Sequence, residues 1–557
     1  MNMATEGKSY IYIPETVDTS YISIPDKLRE LAEECPGREA VIFCSTDDDR
    51  CSITYSQLYT KAELFAKRII AHGFERGSII AVANINTPEW LICTFGLQMA
   101  GLVPLHFAFA RESPNNVVNL LNGVGNCVAI ILDSSDIGVS KQFIETMESN
   151  GKAVSTKIPA LKYVFPMNSF IGEEYLRDEQ IPSGSDLPYI TADDVCGIFL
   201  TSGSSGMAKA VPMTHRRMIE MGVHWGKLLD VKPGEKFYND KPFSWQGSYP
   251  TIWLATKGSR VTATDIYAMK SIEEINDFTL RVLESESCVS AFLLTPCISD
   301  LISRKETNVN VFPLRAICTA GLPVDSFCAN VIGKTANKFA VAYGCTEIGF
   351  MCSAVVNSNE YENYYVGHPL PGTEIKIVDE KEHIVPKGTT GEIYARLRYR
   401  FLGYLNAKEK AEQCCDKTGW YKTDDVGYVK QDNSVVVTGR KSDTMVIGDA
   451  LVSPSYIEGI LKTHASVANV YICPVHDRQT FQHGCAAIVL KKNKTVTGEE
   501  LVHFLTKEKG KYSESFLATL HVPKTFLFFE SFPTTHSGKL DRKALKDEIM
   551  RRLQKPD

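Results

Sequence analysis

Between an apolar run, Cys196–Leu200, and a helical pattern that begins near His215 lies the segment Thr201-Ser202-Gly203-Ser204-Ser205-Gly206-Met207-Ala208-Lys209. Hydroxyl side chains at 201, 202, 204 and 205 interleave with glycines at 203 and 206, and a lysine follows. Glycine lets backbone N–H groups come close to an anion. Hydroxyls add donors and the lysine adds positive charge, a combination suited to a polyphosphate. The spacing does not fit the Gly-x-x-x-x-Gly-Lys-Ser/Thr phosphate loop. A flexible serine- and glycine-rich surface loop has the same composition. The apolar strand immediately ahead favours the phosphate reading.

Four further segments carry groups able to serve a nucleotide. Tyr343-Gly344-Cys345-Thr346-Glu347 follows an apolar strand and offers an aromatic face for a base, a tight turn, and a carboxylate able to bind magnesium. Gly419-Trp420-Tyr421-Lys422-Thr423-Asp424-Asp425-Val426-Gly427 puts its acidic residues at the tip of a turn. Gly439-Arg440-Lys441-Ser442-Asp443 lies where the texture of the chain changes, as a polar hinge would. Ser537-Gly538-Lys539-Leu540-Asp541-Arg542 sets a lysine in a loop just after a hydrophobic strand. Each alone also reads as ordinary structure: a packed tyrosine, a solvated hairpin, a charged linker, a surface turn.

The elements that must hold these groups alternate. Apolar strand-like runs (Ser78–Asn84, Val128–Leu132, Cys196–Leu200, Ser290–Leu294, Ala316–Thr319) are separated by amphipathic stretches. In Tyr55–His72 the apolar positions Leu58, Ala62, Phe65, Ala66 and Ile69 recur at helical spacing. Such alternation argues for α/β architecture with parallel sheets. After Tyr361 short runs with turn residues between them predict a compact, largely antiparallel unit. From Ser442 a smaller mixed segment follows. Helices are expected near Pro454–His464, Gly498–Gly510 and Lys543–Leu553, and strands near Val467–Pro474 and Cys485–Leu490.

Composition narrows the function classes. The chain has 557 residues, 44% hydrophobic and 23% charged, which excludes a largely disordered or fibrous protein. A net charge of −6 favours neither nucleic acid nor anionic membrane as main partner. Leu91–Ala110 lacks formal charge but contains Gln98, Gly101, Pro104 and His106; it reads as a buried helix running into a core strand, so no integral membrane association is expected. The start shows no secretion signal and the end no Ser-Lys-Leu address, so a cytoplasmic location is expected. The 16 cysteines show no paired metal spacing and read as reduced thiols.

The order and spacing of the five segments resemble those of the adenylate-forming superfamily: acyl- and aryl-CoA synthetases, peptide-synthetase adenylation domains and beetle luciferases. Gly367-His368-Pro369-Leu370-Pro371-Gly372, Gly391-Glu392-Ile393-Tyr394 and Gly403-Tyr404-Leu405-Asn406 extend the resemblance, which covers Ile24 to Arg551. It implies a large N-terminal adenylation domain of doubly wound subdomains with a small β-rich subdomain (1–440), then a small mobile α+β domain (441–557) on a hinge near 440–442. It implies ATP, Mg2+ and, as co-substrate, CoA. The reaction would activate a carboxylic acid, fatty or aromatic, to an acyl-adenylate with release of pyrophosphate. A thiol would then displace AMP.

By that resemblance Thr201, Ser202, Gly203, Ser204, Ser205, Gly206 and Lys209 hold the departing phosphates. Tyr343, with Gly344 and Cys345, stacks on adenine opposite Gly321, Leu322 and Pro323. Glu347 ligates magnesium and, with Thr346 and Lys539, forms the catalytic set. Asp425 and Arg440 bind the ribose. Lys539 bridges the attacking carboxylate, the ribose and the α-phosphate. Trp245, Gln246, Phe292, Thr295 and Ile348 line the acid pocket; Trp245 could wall that pocket or simply pack in the core.

The chain also departs from the family pattern. Asp424 stands where glycine is usual, Ser442 where the hinge has Asp or Lys, Val446 where lysine is common, and Asp449 at the glycine of the thiol tunnel. Two alternatives to a CoA ligase therefore stand. One is an adenylating enzyme whose acceptor is a carrier-protein thiol in trans, an amine or oxygen. The other is a catalytically silent member that binds nucleotide or acyl ligands.

Overall fold

The computed structural model describes residues 7–15, 22–47, 49–83, 85–107, 114–133, 146–147, 153–154, 157–167, 186–201, 208–264, 272–293, 297–298, 314–321, 324, 336–356, 361–362, 364–399, 401–441, 445–447, 450–452, 454–477, 481–509, 522–534 and 540–553. Ser202 to Gly206, Thr295, Leu322, Pro323, Ser442, Asp449 and Lys539 lie outside them.

The helical spacing in Tyr55–His72 becomes a helix at Tyr55–Ile70. Thr54 caps it and Gln57 returns a hydrogen bond to the cap backbone, satisfying two donors that the first turn leaves open. Leu58, Ala62, Phe65, Ala66 and Ile69 are all fully buried. Burying Leu58, Phe65 and Ile69 supplies roughly 1.5–3 kcal/mol each. The uncharged stretch after Leu91 forms the helix Pro88–Met99 and then the strand Val103–Phe107. The Gln98 amide nitrogen is paired within the protein, donating to Cys196 O and to the Tyr249 hydroxyl, both at 2.7 Å. No described helix is long and apolar enough to cross a membrane.

A six-stranded sheet holds Ile79–Ala83, Val103–Phe107, Cys127–Leu132, Tyr163–Pro166 and Val195–Thr201 in parallel, with Lys209–Thr214 antiparallel at one edge. A fourteen-stranded path, bounded by the antiparallel strands Arg50–Thr54 at one end and Tyr10–Tyr12 at the other, contains the parallel strands Glu39–Cys44, Ser259–Ala263, Lys236–Tyr238, Ser290–Phe292, Leu314–Ala320 and Ala336–Cys345. It turns antiparallel at Gly349–Val356 and runs on through Tyr365–Pro369, Val435–Arg440, Tyr421–Val429, Gly391–Leu397 and Thr373–Val378. The antiparallel unit expected after Tyr361 is thus present, but it continues the parallel sheet. Pairing of Ser353 with His368 makes the join.

A third sheet pairs Phe481–Leu490 with Val467–Asp477, Met445–Ile447 and Thr525–Phe529. It packs apolar side chains such as Ile457, Leu461, Ile472, Ile488 and Leu501 into a core of its own. The architecture is a large mixed α/β body followed by a smaller α+β one. The last helices run Pro454–Lys462, Gly498–Lys509 and Arg542–Leu553, within two residues of the sequence-based spans.

Candidate nucleotide and acid site

Thr201 and Lys209, the two ends of the serine- and glycine-rich segment, face each other across an antiparallel pair. The Thr201 hydroxyl is buried and has no hydrogen-bond partner among the described residues. A buried hydroxyl left unpaired is costly unless a ligand supplies its partner. Asn406 fastens the returning strand: its Oδ1 accepts from Ala210 N at 2.9 Å and its Nδ2 donates to Ala208 O at 2.8 Å. Leu405 N adds a bond to Ala210 O.

The same strap reaches the carboxylate. Lys209 Nζ lies 4.9 Å from the centroid of the Tyr404 ring, and the Tyr404 hydroxyl donates to Glu347 Oε1 at 2.7 Å. Tyr421 stands behind, 3.5 Å from the Tyr404 hydroxyl. Burial and the Glu347 charge raise the pKa of both phenols, so each keeps its proton. Arg217, buried in the His215–Leu229 helix, donates to the Glu347 backbone oxygen at 2.7 Å. Glu347 is itself buried.

The described residues contain no group of three or more His, Cys, Asp or Glu side chains able to hold a metal on their own. A single oriented carboxylate fits magnesium, which keeps much of its coordination for waters and substrate phosphates. It does not fit a protein-only metal centre.

Gly344 brings the next subsite together. A Cβ there would stand 2.3 Å from Gly349 O, so only glycine permits the strand to fold back this tightly. One residue earlier, the Tyr343 hydroxyl donates to Asp425 Oδ2 at 2.7 Å. Arg440 Nε holds the other carboxylate oxygen at 3.0 Å, and its Nη1 donates to Thr423 O. Asp425 and Arg440 are direct partners across neighbouring strands. Burial raises the Asp425 pKa while Arg440 opposes the shift; the same charge raises that of Arg440.

The sequence reading of Asp424 and Asp425 as the tip of a solvated turn is corrected here. Both lie inside the strand Tyr421–Val429. Asp424 adopts φ 58°, the left-handed conformation that glycine takes most easily. That kink turns Asp424 outward and leaves Asp425 buried. Aspartate tolerates this conformation better than most side chains, which explains how it stands at a glycine position.

Of the acid-pocket candidates, Gln246, Phe292 and Ile348 are buried and Trp245 partly so. The Gln246 amide donates to Thr346 O at 3.4 Å and to Met221 Sδ at 3.1 Å. Trp245 packs on Phe292 at 5.4 Å between ring centroids, and Phe292 packs in turn on Trp225. Gly321 ends the strand Leu314–Ala320 with φ 76°.

The structure thus gathers Thr201, Lys209, Thr346, Glu347, Gln246 and Ile348 along one continuous chain of contacts. It joins Tyr343, Asp425 and Arg440 in a second, next to the first along the Tyr343–Glu347 segment. Arg217 and Asn406 take part without having been assigned a role from sequence. Arg217 carried no signal, being one of several basic residues at the start of a helix. Asn406 was visible only as part of the Gly-Tyr-Leu-Asn match.

Residues 28–405 match the family described as AMP-binding enzyme, and residues 456–539 its C-terminal domain. The mitochondrial medium-chain acyl-CoA ligase of Danio rerio is 25% identical, over 97% of this chain and 92% of its own length. The crystal structure of an anthranilate CoA ligase in complex with anthranoyl-AMP superposes with a TM-score of 0.79 at 17% identity, covering 95% of this chain and 98% of that one. The amide bond synthetase McbA of Marinactinospora thermotolerans superposes with a TM-score of 0.74 at 20% identity, covering 94% and 99%.

Proposed function

This chain belongs to the AMP-binding enzyme family, and from that premise we propose that it is an AMP-forming ligase that activates a fatty or aromatic acid with ATP and passes the acyl group to CoA. A carboxylate oxygen of the acid attacks the α-phosphorus. The bond from that phosphorus to the bridging oxygen breaks, and pyrophosphate leaves with the electron pair. The thiolate then attacks the acyl carbonyl, and AMP leaves from the acyl-adenylate. The observation that carries this reading is the meeting of the Thr201/Lys209 pair, the Glu347 carboxylate and the Tyr343–Asp425–Arg440 cluster on one short stretch of backbone.

In this reading Thr201 to Lys209, including Ser202, Gly203, Ser204, Ser205 and Gly206, hold the phosphates that depart. Tyr343 faces adenine, with Gly344 and Cys345 shaping the turn and Gly321, Leu322 and Pro323 on the far side. Asp425, held by Arg440, accepts from the ribose hydroxyls. Glu347, held by Tyr404, would hold magnesium, which when bound neutralises phosphate charge. Lys539 supplies the cation that lets a carboxylate approach an α-phosphate and that steadies the growing negative charge. A rotation of residues 441–557 about 440–442 would exchange the lysine for the thiol-accepting arrangement.

The relatives support the acid class. One is named a medium-chain acyl-CoA ligase and one is bound to an aromatic acyl-adenylate. Asp449, where the resemblance has glycine, favours a second reading of the acceptor: a smaller nucleophile such as an amine. ATP–pyrophosphate exchange with a panel of fatty and aromatic acids tests the first step, and exchange with none of them refutes it. Mass detection of acyl-CoA after adding CoA tests the acceptor. Adenylate formation with no acyl-CoA would point to an amine or a carrier thiol.

A further inference from the structure

The helix His215–Leu229 turns Met218, Trp225 and Leu229 into the core. A second face, Arg217, Glu220, Met221 and His224, lines a cleft. Across the cleft stand Ile348–Phe350, the turn Leu370–Thr373 and Leu397–Tyr399. A polar helix face ordinarily meets solvent, but this one is largely withdrawn from it. Desolvation pushes the Glu220 carboxyl up to about 7 and the His224 ring down to about 4. Arg217 is spoken for, since it donates to Glu347 O. Glu220 and His224, one helical turn apart, make no hydrogen bond to any described residue.

This cleft adjoins the acid pocket through shared walls. Met221 lines it and also accepts from the Gln246 amide. Ile348 lines it and directly follows Glu347. A tail that passed Gln246 and Ile348 would arrive between Glu220 and His224. Arg217, one turn away, disfavours a cation there. The Glu220 carboxyl, where ionised, disfavours a second carboxylate, and Arg398 on the far wall is already paired with Glu15. A neutral hydroxyl suits both groups, donating to or accepting from Glu220 in either protonation state and accepting from or donating to the His224 ring. A site built to pair a hydroxyl discriminates against the analogue lacking it, because its own polar groups are otherwise left unmatched.

Resting on the acid-activating reading above, we propose that this cleft reads the far end of the acid, and that the enzyme selects acids bearing a hydroxyl there over the plain acids of equal length. Glu220 and His224 are the specificity-determining residues.

The test is ATP–pyrophosphate exchange by the full chain with octanoate, ω-hydroxyoctanoate and octanedioate, and with the same three forms at decanoate length. Glu220→Leu and His224→Phe are compared with the native chain, and thermal melting confirms that each folds. The native enzyme is expected to favour the ω-hydroxy acid by roughly tenfold or more in kcat/KM. Each variant should bring that ratio near one through the KM for the acid, leaving the KM for ATP unchanged. A native preference for the plain acid or the diacid overturns the inference, as does an unmoved ratio in two folded, active variants. Exchange with no acid at all refutes the activation reading and this inference with it; exchange with an unmoved ratio refutes the inference alone.

Discussion

Replacing Asp425 by asparagine separates a nucleotide ligand from a structural carboxylate. The carboxylate accepts from the Tyr343 hydroxyl at 2.7 Å and pairs with Arg440 at 3.0 Å. Asparagine keeps the shape but presents one neutral acceptor and one donor. The Arg440 side chain is half exposed, so losing the ion pair costs no more than about 1 kcal/mol after solvent screening. Weakening the Tyr343 bond from charge-assisted to neutral costs about 1 kcal/mol more. The fold should therefore lose about 1–2 kcal/mol. For bound ATP the account differs. Two ribose hydroxyls donating to a carboxylate lose about 1–1.5 kcal/mol each on its neutralisation. That sum, about 2–3 kcal/mol, corresponds to a rise of roughly 30- to 160-fold in the KM for ATP. The KM for the acid should stay close to native. The assay is ATP–pyrophosphate exchange at varied ATP and varied acid, beside a thermal melt. A lower melting midpoint with an ATP KM within about threefold of native would refute the reasoning and leave Asp425 as part of the frame only.

Further outcomes are expected. Lys539→Ala should lower adenylate formation roughly a hundredfold or more while equilibrium dialysis shows ATP binding little changed. Gly344→Ala forces a Cβ to within 2.3 Å of Gly349 O; it should destabilise by about 2–3 kcal/mol and abolish exchange, read by melting and assay together. His106, with both ring nitrogens unpaired, and His215, whose Nδ1 accepts from Ile24 N, are held by burial at about 3. Each takes up a proton on unfolding below its ordinary value, so folded stability falls as pH drops from about 6.5 towards 3. The slope is about 1.4 kcal/mol per pH unit for each ring. Denaturation midpoints across that range should show it, and His106→Phe should lower the slope by about 1.4 kcal/mol per pH unit.

Local order was legible where local forces decide it. The Tyr55–Ile70 helix follows from the spacing of five apolar residues, and the strand that ends at Thr201 from the apolar run Cys196–Leu200; the antiparallel return of Lys209 beside Thr201 was not read from the sequence. Asp425 was named, yet its setting was misread. A run of charged residues beside glycines has the look of a solvated turn, and the groups that bury it, Tyr343 and Arg440, come from distant parts of the sequence. Arg217 escaped notice for the same reason: its partner is a backbone oxygen 130 positions away. The join of the antiparallel strands to the parallel sheet depends on the Ser353–His368 pairing, which no periodicity announces.

The short strap Gly403–Asn406 ties two things at once: its asparagine clamps the strand Lys209–Thr214 and its tyrosine orients Glu347. In the proposed reading, the seat for the phosphates and the seat for their counter-ion would therefore be one mechanical unit, and a lesion in either half of the strap would be felt in both.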